Sequence, residues 1–77
     1  MKLVEAISLR IKELLDERNF SQYELSKRGG VPRSTVNDIV NVKKKRVSTE
    51  TIYQICSTLG ITLVEFFNNR LFENLDD

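Results

Sequence analysis

The chain has 77 residues, with 12 lysines and arginines against 11 aspartates and glutamates, one cysteine and no histidine. A lone cysteine excludes an internal disulfide, and without histidine there is no Cys/His metal cluster; a core of this size supplies only about 3–5 kcal/mol, so the rest must come from strong local helix signals, self-association or both. The formal charge of +1 conceals polarisation: residues 1–26 carry a net −1, residues 27–46 a net +6 and residues 47–77 a net −4.

The opening "MKLVEAISLRIKELL" meets a charge every few residues and lacks the apolar run of a signal peptide. Nothing approaches the roughly 20 apolar residues of a membrane span. The expectation is a soluble, complete, cytoplasmic chain in a reducing compartment. Ile7, Ile11, Leu14 and Leu15 share one helical stripe, which predicts a first helix over about residues 4–18, ended by Asn19. "FSQYEL" then supplies a capping box from Ser21 and Glu24, with Phe20 and Leu25 placed as its hydrophobic staple. The second helix runs from Gln22 to about Arg28, and Gly29-Gly30 stops it.

Val31-Pro32 opens the third helix, since proline is tolerated in a first turn whose N–H would have no partner. Val36, Ile39 and Val40 form its inward side, so Arg33, Ser34, Asn37, Asp38 and Asn41 face elsewhere. After the basic run Lys43–Arg46, Ser48 or Thr49 caps a fourth helix striped with Ile52, Ile55, Cys56 and Leu59 and closed by Gly60. "ITLVEF" gives a second capping box, Thr62 with Glu65, stapled by Ile61 and Phe66; a fifth helix starts there and continues through Phe67 toward the tail. The chain therefore reads as all-α, five short helices, with a domain over 1–69 and a tail over 70–77 that extends the last helix or mediates dimerisation. Cys56 reads as core.

Function follows from what is missing and what is clustered. There is no nucleophile elbow, phosphate-cradling glycine loop or metal-ligand spacing, so an enzyme, a cofactor and a small-molecule ligand are not expected. A short helix, a glycine turn and a second short helix with polar groups on its outer face is a helix-turn-helix, whose second helix enters the major groove of double-stranded DNA. Arg33 suits bidentate contact with guanine O6 and N7. The free amides at the second helix's N-terminus, with Gln22, form a phosphate clamp. Lys43, Lys44, Lys45 and Arg46 add sequence-independent affinity by counterion release. One element specifies and the other holds.

"SQYELSKRGGVPRSTVNDIV" followed by "STETIYQICSTLGITLVEFF" resembles the phage repressor and Cro (XRE-like) helix-turn-helix family over roughly residues 5–68. The match lies in Ser21-Gln22, Leu25, Gly30-Val31, Arg33–Thr35, Val36, Ile39 and Glu50–Phe67 taken jointly. The resemblance implies a lambda-repressor-like fold and a transcriptional regulator, repressor-like, of bacterial or phage origin. It makes Arg33, Ser34, Asn37 and Asp38 the base-reading positions, and has Gln22 brace the backbone and the first residue of the reading helix. Thr35 touches phosphate or packs, and Tyr23, Lys27 and Asn41 join it on the phosphate side. The chain departs from the family where Asn41-Val42-Lys43 replaces the usual Asn-Gly-Lys. Valine resists φ > 0, so either Asn41 takes the left-handed turn or the loop has another shape. Asp38 either accepts from a cytosine amino group or pairs with a neighbouring cation, and the pairing is favoured.

Rival readings of the basic run are a nuclear address and a membrane-surface patch, the latter without an amphipathic apolar face to support it. A stronger rival is a helix-turn-helix used as a protein-interaction module, such as an antitoxin or anti-repressor. In the tail, Phe67, Leu71, Phe72 and Leu75 either cover the monomer core or build a two-fold homodimer interface that sets two reading helices about 34 Å apart on a palindromic operator.

Overall fold

The computed structural model describes residues 1–77. It contains α1 (Leu3–Glu17), α2 (Gln22–Gly29), α3 (Arg33–Val40), α4 (Thr49–Leu59) and α5 (Leu63–Phe67), then a single 3₁₀ turn at Arg70–Phe72, with no strand. The all-helical expectation and its five helices hold. No helix is long and apolar enough to cross a membrane.

Both capping boxes form. The Ser21 hydroxyl accepts from the Glu24 amide at 3.0 Å, and the Glu24 carboxylate accepts from the Ser21 amide at 3.1 Å. The Thr62–Glu65 box repeats this at 3.0 Å in both directions. Because each box fixes where its helix begins, the predicted stripes land in one core: Ile7, Ile11, Leu14 and Leu15 from α1 meet Leu25, Val36, Ile39 and Val40 from the α2–α3 pair and Ile52, Ile55, Cys56 and Leu59 from α4. Phe66 is fully buried among them. Burial also pushes the Cys56 thiol up, only partly opposed by nearby Arg10, so the thiolate form is disfavoured.

One arginine on α1 and one just past its end reach the carbonyls of later helices. Arg10 is buried and points at the end of α5, donating from Nε to the Phe66 carbonyl at 2.7 Å and from Nη2 to the Glu65 carbonyl at 3.0 Å. It also pairs with Glu13 and lies 5.9 Å from the Phe66 ring centroid. Arg18 donates from Nε to the Leu59 carbonyl at 3.2 Å. Both cations thus sit where the helix dipole and unpaired carbonyls favour positive charge.

Three details differ from expectation. Gly29 does not stop α2. It is the last helical residue, and a Cβ there would stand 2.6 Å from Thr58 Oγ1, so glycine lets α2 lie against α4. Gly30, at φ 69°, makes the turn. The fifth helix does not extend into the tail. It ends at Phe67, and the Asn69 side chain accepts from the Leu71 amide at 3.0 Å, a local bond that diverts the backbone from helix. The third difference is at Val42. Asn41 stays at φ −97°, and Val42 takes φ 53°.

Beyond α5 the chain folds back along α1. Phe72 packs against the core and meets the Phe67 ring edge-on, with centroids 4.9 Å apart. The Asn69 amide donates to Glu13 at 3.0 Å, and Asp76 accepts from the Met1 amino group at 2.7 Å. Leu71, Phe72 and Leu75 are half-buried in this way, and Phe67 is exposed.

Candidate nucleic-acid interface

The exposure of α3 follows from what anchors its other side. Val36, Ile39 and Val40 are buried, and Ser8 on α1 donates its hydroxyl to the Val40 carbonyl at 2.6 Å, pinning the helix end. Ser26 on α2 donates to the Val31 carbonyl and holds the turn that leads into α3. Neither serine drew attention in the sequence. The available signal was position, because Ser8 stands three residues before Ile11 on the buried stripe and Ser26 directly follows Leu25. A small hydroxyl on a core face must find an acceptor.

With that side fixed, Arg33, Ser34 and Asn37 lie exposed on one outer surface, while Thr35 and Asp38 are half-buried at its edge. The Arg33 guanidinium carbon is 5.2 Å from the Tyr23 ring centroid, and Lys27 Nζ is 5.8 Å from the same ring. Tyr23 is 50% exposed, so this platform joins α2 to the start of α3 at the surface. The expected bracing of Arg33 by Gln22 is absent: Gln22 is exposed and its side chain makes no hydrogen bond, and the adjacent tyrosine meets the arginine instead.

The two helix starts differ. At α2 the box consumes the Ser21 and Glu24 amides, leaving those of Gln22 and Tyr23 without a partner in the chain. Ser21 holds the Glu24 carboxyl below its ordinary range, chiefly through its backbone amide and then its hydroxyl. At α3 the N-cap is Pro32, which offers no side-chain cap, and the amides of Arg33, Ser34 and Thr35 remain open.

Behind α3, the amide of Lys43 donates to the Asp38 carbonyl at 2.8 Å and that of Val42 to the Ile39 carbonyl at 3.2 Å. This is the Schellman pattern, with valine where glycine is the usual occupant. It sends Lys43 back over the helix end, where Nζ donates to Asn37 Oδ1 at 3.1 Å. The Asn41 amide donates to the Asn37 carbonyl at 3.0 Å. Lys44, Lys45 and Arg46 are exposed. Lys44 and Arg46 border a recess of about 130 Å³ that also holds Thr35 and Asp38. Lys43, Lys44 and Lys45 border a wider groove of about 530 Å³ with Lys2 from the start of α1. The basic run therefore splays over two sides of the α3 terminus. The favoured ion pair of Asp38 is not formed: the four pairs within 4 Å involve other residues, and Asp38 engages the loop through its backbone carbonyl.

Residues 10–68 match the Cro/C1-type HTH DNA-binding domain family. Among solved structures, the crystal structure of the prophage Lp1 protein 11 is similar, with 30% identity and a TM-score of 0.85 over 97% of this chain and 100% of that one. No curated protein matches significantly. With that family model matched over residues 10–68, the greater part of its length, the chain belongs to the Cro/C1-type helix-turn-helix DNA-binding family.

Proposed function

We propose that this protein is a repressor-like transcriptional regulator that reads double-stranded DNA through α3 in the major groove. The observation that carries the reading is the outward face of α3, with Arg33, Ser34 and Asn37 exposed above buried Val36, Ile39 and Val40. A two-turn helix fits a groove about 12 Å wide. Arg33, Ser34 and Asn37 meet base edges, and half-buried Asp38 reaches only the margin of the groove. Tyr23, Lys27, Thr35, Asn41, Lys44, Lys45 and Arg46 line the phosphates, with the open amides at the start of α2 beside Gln22.

The dimeric part of the proposal rests on α5. Val64 is 78% exposed and Phe67 lies beside it on the same short helix, whereas Leu71, Phe72 and Leu75 are already half-covered by this chain. A two-fold contact through α5 presents two reading helices to a palindromic operator with half-sites about 34 Å apart.

The test is selection of duplexes from a random pool at two ionic strengths. Arg33→Ala is expected to cost about 1–3 kcal/mol and to relax one base pair. Lys44→Ala is expected to weaken every duplex alike and to flatten the log–log salt slope by about one unit. Equal, uniform losses from both substitutions would refute the division of labour, and binding without any salt dependence would favour a protein partner instead.

A further inference from the structure

We propose that Lys43, by placing its ammonium on the Asn37 amide oxygen, biases Asn37 toward donating, so that the base pair Asn37 meets is selected for guanine over adenine; this rests on α3 entering the major groove as proposed above. The Val42 turn, at φ 53°, and the hydrogen bond from the Lys43 backbone amide to the Asp38 carbonyl at 2.8 Å fold the chain back so that Lys43 Nζ stands 3.1 Å from Asn37 Oδ1. An ammonium carries three donors and no acceptor, so the atom it meets must be the amide oxygen. The Asn41 side chain holds the same corner by donating to the Asn37 backbone carbonyl at 3.0 Å. What Asn37 then presents outward is its NH₂ group, with the remaining ammonium protons beside it.

That arrangement changes what the side chain can recognise. A free asparagine matches adenine because its oxygen accepts from N6 while its nitrogen donates to N7. With the oxygen committed to a cation, adenine would set its N6 amino group against an ammonium. Guanine offers two acceptors in the same places, N7 and O6, which suit an amide N–H and a lysine N–H together. Expulsion of water on docking strengthens a charge-assisted hydrogen bond, so the pair is retained at the moment of reading. Lys43 is therefore a positioning residue as well as a cation, and its effect is distinct from that of Lys44 or Lys45.

The experiment compares duplexes selected from a random pool by the wild type, Asn37→Ala, Lys43→Met and Lys43→Arg. Asn37→Ala locates the base pair by erasing preference there. The wild type and Lys43→Arg are expected to hold guanine at that pair. Lys43→Met frees the amide oxygen and is expected to swing the ratio of guanine to adenine binding by about tenfold toward adenine. Lys43 is exposed, so its removal leaves the fold intact. The inference is overturned if the wild type selects adenine there, or if Lys43→Met weakens all duplexes equally with guanine still preferred. A wild type that enriches no sequence refutes the DNA-reading function along with it.

Discussion

The α4–α5 segment and the segment around α3 are built on the same turn and finish it differently. After α4, the Ile61 amide donates to Cys56 at 3.0 Å and the Gly60 amide to Ser57 at 3.2 Å, with Gly60 at φ 73°. After α3, the Lys43 and Val42 amides repeat those two bonds, with Val42 at φ 53°. Glycine adopts the left-handed region freely, whereas a β-branched side chain there is strained by roughly 1–2 kcal/mol. The helix starts differ in the same sense, since Ser48 and Thr62 cap α4 and α5 through their side chains and Pro32 leaves α3 uncapped. Arg18 and Arg10 complete the far ends of α4 and α5. Local stability is concentrated in the supporting helices. The outward helix keeps unpaired amides and a strained exit, which is where agreement between local and global signals is expected to lapse in favour of binding.

The sharpest way to break this comparison is at Arg10. Arg10→Ala strips two carbonyls at the end of α5 of their buried donor and is expected to cost about 3 kcal/mol in denaturant unfolding. A loss no larger than that of an exposed cation such as Lys12→Ala would mean that the α5 end is not a stabilised region. Next is the α2–α4 approach, where Gly29→Ala drives a methyl into the Thr58 hydroxyl. We expect a cost of about 1–3 kcal/mol, and the Gly29→Ala/Thr58→Ala double variant should recover a measurable part of it in the same assay.

Val42→Gly tests the strained side of the comparison with the opposite sign. It should raise stability by about 1 kcal/mol, or roughly 4–8 °C in melting temperature for a domain of this size. An unchanged or lowered melting temperature would show that the valine side chain gains as much from its surroundings as its backbone loses. The smallest effect is acid dependence. Ser21 and Thr62 hold the Glu24 and Glu65 carboxyls below their ordinary value near 4.5, each chiefly through the backbone amide of its partner. Their contribution is complete above that value and is lost as the pH falls through the lowered folded value. Unfolding curves taken from pH 6 to pH 3 should show this decline, flattened by Glu24→Gln and Glu65→Gln, which keep the box without titrating.

Much of the fold was legible because its signals are local. The Ser21–Glu24 and Thr62–Glu65 boxes, the stripes of α1 and α4 and the closing Gly60 depend on residues within one turn of each other, so spacing alone places them. The exposure of Arg33, Ser34 and Asn37 was legible for the same reason, since burying Val36 and Ile39 forces them outward, whereas Asp38, expected beside them, is half-buried. Contacts across the chain were not. Gly29 looked like punctuation until Thr58 lay against it, and nothing near Arg10 in the sequence marked it as the donor to the α5 carbonyls.

The amino-acid order settles which segments become helices and which face of each is apolar, because capping and periodicity act over three or four residues. Only the folded chain decides that Tyr23, not Gln22, lies against Arg33, that Lys43 returns to Asn37 and that Asp38 stays unpaired. Those outcomes depend on how α2 and α3 pack together and on a left-handed valine held by the two hydrogen bonds that close α3, and neither leaves a periodic trace in sequence.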